Sequence, residues 1–117
     1  MRIKRGLTRQ RRHRRILKQV KGFRGSRSTL IRPARLALER SLKFAYRDRR
    51  QRKRQFHRLW IVRINAAARE RGLSYSRMMN GLRRAGVEVD RKILAELAVS
   101  HPKAFSDLAE LAKSQAA

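Results

Sequence analysis

Cysteine is absent from this chain of 117 residues, carboxylates number only eight, and no long apolar run occurs anywhere. Without cysteine there is no disulfide framework and no thiolate metal site, a usage that fits a reducing cytoplasm. The three histidines stand at 13, 57 and 101, far from any ligand spacing, so no metal and no cofactor is expected. Few carboxylates remain from which to build an acid/base pair in a dry pocket. Glu88 and Asp90 are the closest such pair outside the terminal helix, and they suit helix N-terminal charge and capping better than catalysis. Gly22 and Gly25 lack the further glycines and the lysine of a phosphate-cradling loop. The chain is therefore read as no enzyme, with no small-molecule substrate. No stretch approaches the ~18 consecutive apolar residues of a membrane span, and the N-terminus lacks the apolar region of a secretory signal. Residues 1–38 contain no acid and much arginine, which also describes an organellar transit peptide.

What the chain does contain is positive charge. Thirty-three lysines and arginines leave a net charge of +25, a self-repulsion that calls for a polyanion to neutralise it. Twenty-five of those residues are arginine, whose flat guanidinium grips phosphate through two hydrogen bonds and stacks on bases. This points to nucleic acid rather than to a membrane surface. The charge is also uneven: residues 1–60 hold 23 basic and two acidic side chains, and residues 61–117 hold ten and six.

A first helix is expected from an N-cap at Thr8 to about Lys21, ended by Gly22. Its apolar residues are Ile16, Leu17 and Val20, too few to hold it together alone. Phe23 to Thr29 reads as a loop. Pro33 suits a helix's first turn, and from Ala34 to Arg71 there is neither glycine nor proline. One helix of ~57 Å fits that interval, and its length implies that part of it projects from a domain this small. No aliphatic or aromatic residue occurs from Arg47 to Gln55, so that part has no face to bury against protein. Beyond it Phe56, Trp60, Ile64 and Ala68 step by four, with Leu59 and Ala66 broadening the stripe.

Gly72 stops this helix, Ser74 caps another to Arg84, Asp90 caps a third to about Val99, and Pro102 opens a fourth ending near Ser114. The expected core is Tyr75, Met78, Met79, Leu82, Val87, Val89, Ile93, Leu94, Leu97, Val99, Phe105, Leu108 and Leu111. Only Val87 to Val89 alternates, too briefly for a strand. The fold expected is all-α: a basic helical extension over residues 1–58 and a small four-helix domain over 59–117.

A solvated charge run mixes both signs, whereas residues 47–58 carry seven cations and one acid. Asp48 reads as a carboxylate that orients its arginine neighbours, and His57 as a phosphate or base neighbour. Phe23, Tyr46, Phe56 and Trp60 are candidates for base stacking; packing is preferred for the last two, and Phe23 is the better stacking candidate. A basic arm on a small core suits folded RNA, which is read by shape and backbone. A sequence-reading DNA protein tends to carry a compact motif or a zipper, and neither is found here. General DNA compaction and membrane activity remain as alternatives.

The run AYRDRRQRKRQFHRLWIVRINAAARERG, Ala45 to Gly72, followed by SYSRMMNGLRRAGVEVDRKILAELAV, Ser74 to Val99, resembles the bacterial large-subunit ribosomal protein twenty family. RIKRG at the start, HRRILKQVKGFRGSRS and the terminal PKAFSDLAELAK match its pattern too, so the resemblance spans essentially the whole chain. It implies a structural constituent of the large ribosomal subunit in the cytoplasm, with an organellar ribosome as the alternative. The implied extension is threaded into 23S rRNA and joined to a small helical domain beside neighbouring large-subunit proteins. It also implies a role early in subunit assembly and, in some members, repression of translation through the protein's own mRNA. Two departures occur: relatives usually have a further small residue after Met1, and many carry an aromatic residue where Arg24 stands.

On this reading the RNA-binding residues of the extension are Arg2, Lys4, Arg5, Arg9, Arg11, Arg12, His13, Arg14, Arg15, Lys18 and Lys21, followed by Phe23, Arg24, Arg27, Ser28, Arg32 and Arg35. Further along come Arg47, Arg49, Arg50, Arg52, Lys53, Arg54, His57 and Arg58. The C-terminal domain would dock on an rRNA junction through Arg77, Asn80, Arg83, Arg84, Arg91 and Lys92.

Overall fold

The computed structural model describes Lys4 and residues 6–116. Among these residues the only regular elements are helices. They are α1 (Thr8–Gln19), α2 (Ile31–Glu70), α3 (Tyr75–Arg84), α4 (Arg91–Ser100) and α5 (Pro102–Ala116), with one short 3-10 turn at Gly25–Arg27. The chain divides into two compact units, Met1–Arg50 and Gln51–Ala117, and α2 runs unbroken across that boundary.

In the first unit, α1 starts differently from the sequence expectation. Leu7 occupies the N-cap without a side-chain cap hydrogen bond, and Thr8 is already helical. The helix ends at Gln19 rather than near Lys21: Val20 becomes the C-cap, its N–H donating to the Ile16 carbonyl at 3.3 Å. Val20 and Ala34 are fully buried, a local burial that composition alone did not suggest. Gly22, at φ +92°, turns the chain after Val20. Pro33 falls in the first turn of α2, where a missing N–H costs nothing.

In the second unit, Schellman turns end two helices. Gly72 sits at φ +76°, and the Leu73 N–H donates to the Ala68 carbonyl at 2.9 Å. Gly86 at φ +71° repeats this, with Val87 donating to Leu82 at 3.0 Å. Ser74 Oγ accepts from the Arg77 N–H, and Asp90 Oδ1 accepts from the Lys92 N–H, so both expected caps are in place. Pro102 opens α5, which continues to Ala116, two residues past its expected end.

The core of this unit is Ile64, Ala67, Ala68, Leu73, Met78, Leu82, Leu94, Ala95, Phe105, Ala109 and Ala112, with Trp60, Tyr75, Met79, Val87, Val89, Leu97, Ala98 and Leu108 packed around it. Ile93, Val99 and Leu111, expected inside, are exposed. α4 packs against α5 and buries only a narrow face containing Leu94 and Ala95, so residues off that face reach solvent. Phe56, Leu59 and Ala66 of the expected α2 stripe are exposed as well. Trp60, Ile64 and Ala68 of the same stripe do pack in the core, joined by Ala67.

α3 and α5 approach each other closely at Gly81. A methyl group added to Gly81 would stand 2.3 Å from the Ala112 carbonyl oxygen and 2.8 Å from its Cα. Glycine is therefore required here for space, although its backbone is helical.

Arg71 ties the end of α2 to the start of α5. Its Nε donates to Ser106 Oγ at 2.8 Å, Nη1 to the Ala67 carbonyl at 2.8 Å and Nη2 to the Pro102 carbonyl at 3.1 Å. The guanidinium also lies over the Phe105 ring, 5.0 Å from its centroid. Charge-assisted bonds of this kind are stronger than neutral ones, and here an arginine serves the fold.

Candidate nucleic-acid interface

In the first unit, Arg9, Arg11, Arg12, Arg14, Arg15 and Lys18 are exposed on α1, whereas His13, Ile16 and Leu17 are half-buried and Val20 is buried. Positions 13, 16, 17 and 20 share one helical face, so burial takes that strip and leaves the remaining surface cationic. His13 lines a groove with Arg9, Arg12, Ile16, Ile31, Arg32 and Arg35. Lys4, Lys21, Arg24, Arg27, Arg32 and Arg35 are exposed, and Phe23 and Ser28 are half-buried. Ser28 uses its hydroxyl hydrogen locally, donating to the Gly25 carbonyl at 3.0 Å. Arg2 and Arg5 lie outside the described residues.

The last turns of this unit carry Arg47, Arg49 and Arg50, all exposed. Arg47 Nε donates to Asp48 Oδ1 at 3.0 Å, so the carboxylate does orient one arginine. Two aromatic rings are each covered by a guanidinium: Arg47 lies 4.4 Å from the Phe44 centroid and Arg50 lies 4.8 Å from that of Tyr46. Arg50 Nη2 also donates to the Tyr46 hydroxyl. Phe44 and Tyr46 remain 43% and 57% exposed, so neither belongs to a core. The spacing Phe-x-x-Arg signals the first pair, since residues three apart meet on a helix; sequence reasoning passed over it.

In the second unit, Arg52, Lys53, Arg54, His57 and Arg58 are exposed on α2. The His57 ring stands edge-on to Trp60 at 6.4 Å, and Phe56 is tilted against the same indole at 6.4 Å. Trp60 packs on the core, as preferred from sequence, but Phe56 is 49% exposed.

α3 presents Arg77, Asn80, Arg83 and Arg84 to solvent while Met78, Gly81 and Leu82 are buried. One amphipathic helix thus displays three cations and an amide on the side away from the core. Arg84 Nη1 donates to the Gln115 carbonyl at 3.3 Å. Arg91 is half-buried, its Nε donating to the Tyr75 hydroxyl at 2.8 Å, while Lys92 is exposed.

Among the described residues the ion pairs within 4.0 Å are Arg47 with Asp48 and Arg71 with Glu70. The net charge of +25 already counts all eight carboxylates, so the excess cations have no acid in the chain to pair with. Among those residues no helix is long and apolar enough to cross a membrane.

The sequence profile of the family described as "Ribosomal protein L20" matches residues 2–108. The chain is 60% identical over 115 residues to "Large ribosomal subunit protein bL20" of Lawsonia intracellularis (strain PHE/MN1-00), covering 98% of each. Against the protein of that name from Roseiflexus sp. (strain RS-1) it is 59% identical over 112 residues, 96% of each. A third, from Solidesulfovibrio magneticus (strain ATCC 700980 / DSM 13731 / RS-1), is 59% identical over 117 residues, the full length of both.

Proposed function

Because this chain belongs to the ribosomal protein L20 family, and is therefore a structural protein of the large ribosomal subunit and not an enzyme, we propose that it binds 23S rRNA directly. The exposed cations of α1 and α2 neutralise phosphates, and Arg77, Asn80, Arg83, Arg84, Arg91 and Lys92 add a docking surface on the helical domain. The boundary between the arm and the domain falls at about residue 58, where the cation series ends. The observation that carries this reading is the series Arg47 to Arg58: seven cations and one acid on a helix, all seven cations exposed. A helix of like charges is unfavourable in isolation, and phosphate oxygens are the counter-charge that suits arginine's paired donors.

The same neutralisation gives the protein its role in assembly. Early in subunit formation rRNA segments repel one another, and a basic helix between them lowers that repulsion, so the protein acts in the cytoplasm on the immature particle and meets neighbouring large-subunit proteins there. An mRNA segment folded like the rRNA site would engage the same residues, and repression of the protein's own translation follows from that competition.

The test is a salt titration of full-length protein on a large-subunit rRNA domain transcript, with duplex DNA as competitor. rRNA affinity is expected to survive excess DNA at physiological salt. Replacing Arg49, Arg50, Arg52 and Arg54 with glutamine is expected to flatten the log-log salt dependence by about one unit per lost phosphate contact. An unchanged slope would remove these side chains from the phosphate-binding set, and equal competition by DNA would make the protein a general polyanion binder.

A further inference from the structure

From the cleft between the Phe23 loop and one face of α2, we infer a binding site for a single unstacked RNA nucleobase, held against the Phe44–Arg47 stack. This deepens the rRNA-binding reading and rests on it. The cleft lies wholly within the first unit. Pro33, Leu36, Ala37, Phe23 and Phe44 give it an apolar lining, and Arg24, Arg27 and Arg47 line it too. The cleft is open to solvent and about 1140 Å3 in volume, so size does not exclude a nucleotide.

Three features select this ligand. Phe44 is 43% exposed on a helix whose neighbouring turns are cationic, so protein packing does not account for a phenyl ring there. Arg47 holds its guanidinium 4.4 Å from the ring centroid, and Asp48 holds its edge through the Nε and Nη2 contacts at 3.0 Å. An arginine plane held on an aromatic ring is already arranged for a base to continue the stack. The charge around the cleft then decides between an apolar peptide and a nucleotide. Arg24 and Arg27 on the loop and Arg47 on the helix line the same cleft and supply counter-charge for the phosphates flanking an extruded base, and Glu39 is the one acid among the lining residues. An aliphatic partner would offer no acceptor to the Arg24 and Arg27 guanidinium groups, whereas a nucleotide supplies both the π-face and the anion.

Two substitutions test this in the full chain. Phe44→Leu keeps an apolar side chain of high helix propensity and removes only the ring, and Arg47→Lys keeps the charge and removes the plane. The probe is an RNA hairpin carrying 2-aminopurine as a single bulged base, with the same fluorophore paired in a stem as control. Wild-type protein is expected to quench the bulged fluorophore more strongly than the paired one. Both substitutions should reduce that quenching and weaken binding of the bulged hairpin on the order of tenfold, with the salt slope unchanged by Phe44→Leu. If Phe44→Leu leaves quenching and affinity at wild-type values, the base site is overturned. Should the four-arginine variant still lose slope in that case, phosphate binding stands without it. If neither set of substitutions changes anything, both readings fall.

Discussion

Each of the two units is helical, but different forces hold them. Gln51–Ala117 buries Ile64, Met78, Leu94 and Phe105 completely and adds the Arg71 bonds. Met1–Arg50 buries Val20 and Ala34 and leaves Leu36, Leu42, Phe44 and Tyr46 exposed. The same α-helical backbone serves a hydrophobic core in one unit and a polyanion surface in the other. A long helix contributes no stability by its length alone; in proteins most of it comes from packing one face. Where that face is missing, the helix must look to another partner for its stabilisation.

The sharpest way to break this contrast is at its apolar centre. Phe105→Ala is expected to cost about 3–5 kcal/mol, enough to unfold a small domain, with loss of amide protection through α3, α4 and α5 while α1 exchanges as before. A uniform change in exchange along the whole chain would mean that one cooperative core serves both units. Gly81→Ala comes next, at about 1–3 kcal/mol, because overpacking against the Ala112 backbone outweighs the gain in helix propensity. Thermal melts followed by circular dichroism would register it as a fall of several degrees; a rise would mean that α3 and α5 can separate freely. Val20→Ala should cost about 1–2 kcal/mol, confined to exchange in α1. A cost equal to that of Phe105→Ala would remove the distinction between the units. The smallest effect is expected at Val99→Ser, within about 0.5 kcal/mol, since Val99 is 62% exposed.

The helix pattern was legible because caps and breakers are local. Ser74, Asp90, Pro102, Gly72 and Gly86 do in the structure what their chemistry suggests. The core was legible for large side chains at helical spacing, such as Ile64, Met78, Leu94 and Phe105. It was not legible for Ala67, Ala95, Ala109 and Ala112, or for the fit of Gly81, because burial of a small residue depends on how close two helices come. Ile93 and Val99 failed in the opposite sense: their hydrophobicity is plain, but α4 has too narrow a packed face to cover them. At the candidate interface, charge and exposure follow from composition. Arg71 does not, since its partners lie up to 35 residues away and no spacing near it distinguishes a structural arginine from a phosphate ligand.

The close approach of Gly81 to Ala112 also bears on conformational entropy. Glycine and alanine have no rotamers to lose, whereas burying a long side chain costs up to about 2 kcal/mol of lost freedom. Where Gly81 meets Ala112 the two helices touch through residues that have no rotamer to freeze. In a domain with so few large residues to bury, that economy lets backbone approach and dispersion replace bulk as the source of cohesion.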